Sequence, residues 1–310
     1  MTHWTEDIPI IALDFETTGL DTQRCSPVSI GALLRDGRSR MRPVADVPEH
    51  VRPDTPVEPG AYAVHGISND QAARGAPLGE GLSALLRTLN DVRERGGMVA
   101  GANLSYDLSV LLYAGHRCGL PNVDAVIGRL HCLDAMVLDR GLDTIRQGRR
   151  SLTDLCEHYG VRLQEAHRAR ADAQAALGVG LSLLRRTELP DGELGPLASH
   201  PPSADRLAQL RTADTPALLH RLQQRWWSEG LSWLRAHRRR SGGSFVGETS
   251  WPVGAWQEPV GDGWAYAERW ARGQERKFSD PGTGLQEDLA RAFEEGRAAE
   301  RARIAGSRDS

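Results

Sequence analysis

The sequence predicts an α/β fold followed by a mainly helical, tryptophan-rich C-terminal region, and three observations carry that expectation. Apolar runs of strand length alternate with helical stripes between Ile8 and Arg186. The first run, Ile10-Ile11-Ala12-Leu13, leads into Asp14-Phe15-Glu16-Thr17-Thr18-Gly19-Leu20, two acids one residue apart. From Glu188 the composition shifts: Pro190, Gly192, Gly195, Pro196, Pro201 and Pro202 crowd together, and seven of the eight tryptophans follow Arg225. The organisation expected is an α/β domain over 1–188, a linker over 189–203, and an accessory region over 204–310.

Taken in order, the opening strand puts Asp14 and Glu16 on one face, because side chains at i and i+2 of a strand point the same way. Neighbouring carboxylates resist ionising together, so the pair is either a solvated strand end or one wall of a cation site. Val28 to Leu34 reads as a second strand and Arg40 to Val44 as a third, with Pro43 and Pro48 marking an edge or an early stop. Pro53, Pro56 and Pro59 make 51–60 a loop, and after Ala63 to Ser68 come Asn69 and Asp70 as possible helix caps. Leu82, Leu85, Leu86 and Leu89 form the stripe of a helix that ends before Gly96-Gly97.

Met98 to Asn103 reads as a short strand running into a helix that begins near Ser105, with Asp107 in its first turn. Arg129 to Leu133 reads as another strand and Asp134 to Leu142 as a short helix. Ser151 as N-cap, Leu152 and Leu155 as stripe, and Gly160 as terminator define a helix. Small residues and leucines from His167 to Arg186 define the last helix of the domain, suited to close packing on a sheet. Positions five apart do not stack on one helical face, so His167 is expected at the start of that helix or in the loop before it, reaching over Asp172.

Four acids at three separated places and one histidine are the side chains that two-cation phosphodiester hydrolysis requires. Two divalent ions about 4 Å apart need several anionic oxygens, and an attacking water needs a proton acceptor that works near neutrality. The same residues, in order, resemble the three motifs of the DEDDh family of 3′–5′ exonucleases, the DnaQ-like group related to proofreading epsilon subunits. The first motif is Asp14 to Leu20, the second Asn103-x-x-x-Asp107, and the third His167-x-Ala169-x-x-Asp172. Val64-His65-Gly66-Ile67 and Ser151 to Gly160 resemble the family's intervening segments, so the likeness spans about Ile8 to Arg186.

The resemblance implies an RNase H-like fold, a mixed sheet flanked by helices, with two Mg²⁺ or Mn²⁺ ions. It implies that Asp14 bridges both ions, that Glu16 and Asp172 complete the site of the ion that activates water, that Asp107 holds the second, and that His167 is the general base. Thr17 and Thr18 backbone groups would meet the terminal sugar, and Leu20 and His65 the terminal base or its neighbour. The product implied is a nucleoside 5′-monophosphate from the 3′ end. Many members carry histidine where this chain has Ala102, which implies altered packing beside the site; Asn103 is expected to bond structurally.

The formal net charge of −3 gives no general attraction to a polyanion, so binding must use local basic patches or bound metal. Only Lys277 is a lysine. Four scattered cysteines without a CxxC pair, no signal-peptide pattern and no apolar run of spanning length point to a cytoplasmic protein without a membrane partner.

Thr215 to Arg240 reads as a helix or helix pair carrying Trp226, Trp227 and Trp233, and Leu285 to Ile304 as a charged helix. Trp251, Trp256, Trp264 and Trp270 suggest a small irregular or β-containing unit. The tryptophans are expected as core of a small unit; a stacking platform for single-stranded nucleic acid and a docking surface for a protein partner are the alternatives. The function expected is metal-dependent 3′–5′ exonuclease activity on single-stranded or frayed DNA in replication or repair. An exoribonuclease is the alternative substrate reading, and a non-catalytic nucleic-acid-binding or scaffold protein the alternative class.

Overall fold

The computed structural model describes residues 3–146, 148–199, 202–240 and 251–253. The chain forms β1 (Pro9–Thr17), β2 (Pro27–Asp36), β3 (Arg42–Pro43), β4 (Val51–Arg52), α1 (Pro59–His65), α2 (Asn69–Ala72), β5 (Ala76–Pro77) and α3 (Leu78–Glu94). It continues through β6 (Met98–Gly101), α4 (Leu104–Arg117), α5 (Val123–Ile127), β7 (Cys132–Asp134), α6 (Ala135–Leu142), α7 (Leu152–Tyr159) and α8 (Ala169–Arg186). Three further helices follow: α9 (Pro196–Ser199), α10 (Ala204–Arg211) and α11 (Pro216–Arg240).

Five strands form one mixed sheet in the order β3-β2-β1-β6-β7, with β2 antiparallel to β1 and β6 and β7 parallel to it. The mixed sheet flanked by helices is the fold the sequence predicts. Alternation along β1 divides its side chains between two layers. Ile11, Leu13 and Phe15 pack with Leu85, Leu89, Leu104 and Leu108 of α3 and α4. Ile10 and Ala12 pack with Leu138, Leu155, Ala173 and Leu177 of α6, α7 and α8. Continuing the second set, Asp14 and Glu16 fall on the α8 side of the sheet, the layer that carries Asp172.

One glycine sets how close α8 comes. Gly31 of β2 is paired with Asp14, and a Cβ on it would lie 2.1 Å from the Ala169 carbonyl oxygen. Its bare backbone lets the first turn of α8 sit directly on the sheet beside Asp14.

Local signals place some of the helix ends. Ser151 accepts from the Asp154 amide in a capping box, and Gly160 ends α7 at φ 66°. At α2 the cap is Ser68, not Asn69 or Asp70; Ser68 and Gln71 form a capping box, and Asn69 instead accepts from the Val57 amide at 2.8 Å. α8 begins at Ala169, so His167 stands in the preceding turn.

The stretch expected as a linker over 189–203 carries short helical elements in its described residues. Residues Asp191–Glu193 make a 3-10 turn, α9 follows, and Leu194 and Leu197 are fully buried in the α6–α8 layer. Pro190 is the N-cap of the 3-10 turn, Gly195 takes φ 63° between it and α9, and Pro196 opens α9. The stretch expected as a helix or helix pair over Thr215 to Arg240 holds one helix, α11, which packs on α6 and β7. Trp226 is 4% exposed and lies over Gly141, and Trp251 is also buried, so these two are core as expected. No helix among the described residues is long and apolar enough to cross a membrane. Trp256, Trp264, Trp270 and the helix expected over Leu285 to Ile304 lie outside the described residues.

Candidate active site

The structure gathers Asp14, Glu16 and Asp172 into one cluster, with one carboxylate oxygen from each within 4.8 Å of the others. Strand alternation supplies the first two, and the close seat of α8 on Gly31 supplies the third. Asp107 approaches from the opposite layer: its Oδ1 accepts from the Phe15 amide at 2.9 Å, between Asp14 and Glu16 in sequence. It is 3% exposed and close enough to raise the pKa of Asp14.

The electrostatics are those of a site short of positive charge. Burial first, then Asp107, Glu16 and Asp172, hold the Asp14 carboxyl well above the usual range. Burial and Asp172 push Glu16 up to about 8, against the pull of Arg168. Burial pushes Asp172 up to about 6, opposed by the His167 backbone N–H. Asp172 Oδ1 is buried and has no hydrogen-bond partner within the protein. An unpartnered buried carboxylate oxygen facing two more carboxylates is expensive unless a cation completes it. Hard oxygen donors in this arrangement suit Mg²⁺ or Mn²⁺ and fit the ions the residues imply.

His167 adopts φ 65°, and its backbone N–H donates to Asp172 Oδ2 at 2.9 Å. The bond ties the turn before α8 to the cluster, and His167 is not one of its three carboxylate donors.

The four expected substrate contacts sit together at the end of β1. Their backbone groups are already engaged within the protein: the Thr18 amide donates to Ser26 O at 2.9 Å, and Thr18 O accepts from the Glu58 amide at 2.8 Å. His65 is buried; its Nδ1 accepts from the Ile67 amide, so its Nε2 donates to Thr17 O at 3.1 Å. Burial holds its pKa below the usual histidine value. Leu20 is partly exposed at this edge.

Sequence reasoning missed the residues that brace this edge. The Tyr106 hydroxyl lies 2.6 Å from both Thr17 Oγ1 and Gly19 O. Arg117, at the far end of α4, donates to Gln23 O, Cys25 O and Ser26 Oγ at 2.6, 2.7 and 2.8 Å and pairs with Asp54 at 2.9 Å. An arginine in the last turn of a helix is an ordinary dipole partner, so nothing in its spacing announces this clamp. Asn103 contributes its backbone at φ 65°, its N–H donating to Asp134.

A family model described as an exonuclease, RNase_T, matches residues 11–179, more than half of the chain. Curated relatives include DNA polymerase III of the PolC type from Latilactobacillus sakei, 26% identical over 171 residues that make 55% of this chain and 11% of the relative. The PolC-type polymerase of Streptococcus suis is 27% identical over 174 residues, 54% of this chain and 11% of the relative. The chain thus spans about 11% of the length of these relatives.

Solved structures similar to this chain include Escherichia coli Exonuclease I with an oligonucleotide, at TM-score 0.46 and 18% identity over 62% of this chain and 43% of that one. Another is Exonuclease X with 5′ overhanging duplex DNA, at TM-score 0.40 and 19% identity over 61% of this chain and 97% of that one.

Proposed function

The chain belongs to the RNase_T exonuclease family, and on that premise we propose that it is a metal-dependent 3′–5′ exonuclease acting on single-stranded or frayed DNA. It removes the terminal nucleotide as a nucleoside 5′-monophosphate, in the cytoplasm, during replication or repair. The observation that carries this reading is the cluster of Asp14, Glu16 and Asp172, in which Asp172 Oδ1 has no partner of its own.

Two Mg²⁺ or Mn²⁺ ions would supply what these carboxylates lack: charge neutralisation at the phosphate, Lewis acidity, and a lowered pKa for the attacking water. Asp14, Glu16, Asp172 and Asp107 would be the residues that hold them. The protein's own part is to hold these groups still. Asp107 is tied to the Phe15 amide and Asp172 to the His167 amide, so neither has to reorganise as charge develops.

His167 takes the proton of the attacking water. What supports this role is the tie of its backbone N–H to Asp172, which keeps it next to the cluster without its being one of the carboxylate donors. Leu20 and the face of His65 left by its two hydrogen bonds meet the terminal base or its neighbour. Thr17 and Thr18 meet the sugar through carbonyl lone pairs that their internal bonds leave available.

Single-stranded DNA and RNA labelled at the 5′ or the 3′ end, incubated with Mg²⁺ or Mn²⁺, test the reading. The expected result is a ladder shortening from the 3′ end of DNA, with a labelled mononucleotide released at once from the 3′-labelled strand. Release from the 5′ end, or degradation of RNA alone, would contradict it. Binding of DNA without cleavage would support the scaffold reading instead.

A further inference from the structure

We propose that Asp134 is a positioning residue for Asp107, held in place by α11 and Trp251. The inference rests on the exonuclease reading for what Asp107 does, and on geometry alone for the rest. Asp134 ends β7 and is fully buried. Its Oδ1 accepts from the Met136 and Val137 amides at 3.0 and 3.2 Å, capping α6, and from the Asn103 amide at 3.2 Å. Its Oδ2 accepts from the Leu104 amide at 2.9 Å and from Trp251 Nε1 at 3.3 Å. One carboxylate therefore collects five N–H donors.

Two of those donors open α4. The first N–H groups of a helix have no partner inside it, and Asn103, the N-cap of α4, makes no side-chain cap. Asp134 supplies the cap from another strand. Three residues beyond Leu104, Asp107 is tied to Phe15 of β1. The first turn of α4 is thus fastened to β7 by Asp134 and to β1 by Asp107, and where the turn sits decides where the Asp107 carboxylate points.

The anchor is itself held from the C-terminal side. β7 is the last strand of the sheet, and its outward backbone groups would face solvent or another chain. Side chains of α11 take the place of a sixth strand. His220 Nδ1 accepts from the Cys132 amide at 3.1 Å, and Gln223 donates to Cys132 O at 2.6 Å while accepting from the Asp134 amide at 2.8 Å. The His220 ring lies 5.0 Å from that of Trp251, whose indole N–H completes Asp134. The region beyond the family's motifs therefore closes the sheet edge and braces the helix that presents an active-site carboxylate.

Hydrogen exchange of the full-length chain, without metal or nucleic acid, tests this in Asp134→Asn and Trp251→Phe. Losing a hydrogen bond of about 1.4 kcal/mol corresponds to tenfold. The expected result is about tenfold faster exchange at the amides from Leu104 to Asp107 in Asp134→Asn, a smaller rise in Trp251→Phe, and unchanged exchange along β1 and β2. With DNA, kcat falls in the same order while KM stays constant. Unaltered exchange at Leu104 to Asp107, equal acceleration across β1 and β2, or a loosened α4 with unchanged kcat would each overturn the proposal. If Asp134→Asn does not fold, Trp251→Phe decides it, because phenylalanine keeps the ring against His220 and removes only the donor. Exchange is read without substrate, so a chain that degrades no DNA leaves that result standing.

Discussion

Two buried carboxylate centres lie on strands of one sheet separated by β6 and are built in opposite ways. At the end of β1, three carboxylates converge and one buried oxygen has no partner. At the end of β7, a single carboxylate is surrounded by five N–H donors. The first centre is incomplete as protein and calls for cations; the second is complete and does structural work. The difference teaches that burial of acids alone does not mark a metal site. What marks it is anionic oxygen in excess of the donors around it.

The contrast can be broken most severely at the first centre. Asp14→Ala or Asp172→Ala should abolish turnover and leave the fold intact, because removing one acid relieves repulsion in the metal-free protein. Gel-resolved DNA degradation alongside a thermal melt checks both halves; a variant that still turns over would remove the assignment.

On the braced side, Trp226→Ala should cost about 3–5 kcal/mol of stability, the range for emptying a buried tryptophan site. Trp226 is 4% exposed and fills the space left by Gly141. Urea unfolding measures the loss; a stable variant with weakened DNA binding would instead revive the stacking role for this residue.

His167→Ala should lower kcat by about 10² with metal binding retained, since the residue is not one of the carboxylate donors. An equal loss of Mn²⁺ affinity would make it a ligand and not a base.

The smallest effect is on stability against pH. Glu16 at about 8 and Asp172 at about 6 lie above ordinary carboxylate values, so the folded chain binds protons more tightly than the unfolded one. That contribution is complete below about pH 4 and is lost as pH rises through 6 and 8. Melting temperature in EDTA should fall between pH 5 and 8 and be restored by Mn²⁺. A flat profile would mean the cluster is better compensated than its geometry indicates.

How much of this was legible follows from the range of the forces involved. The meeting of Asp14, Glu16 and Asp172 was legible because strand alternation puts the first two on one face and the motifs resemble those of a known family. Ser151 and Gly160 were legible as caps because capping is local. Asn69 misled because its amide bonds to Val57, twelve residues away, and the cap fell to Ser68. The burial of Leu194 and Leu197 within 189–203 was not legible, because proline and glycine serve tight turns and linkers alike. Nothing local could show His220 and Gln223 completing a strand some 90 residues earlier, since that pairing depends on where α11 docks. Asp134 was visible only as the start of a helix; its bonds to Asn103 and Leu104 needed the fold.

The most direct measurement is a calorimetric titration of Mn²⁺ into the metal-free chain and into Asp14→Ala. The account predicts binding by the first and none by the second, with the variant folded. Binding of equal affinity in Asp14→Ala would place the cation elsewhere and contradict the reading of the β1 centre as the site that requires it.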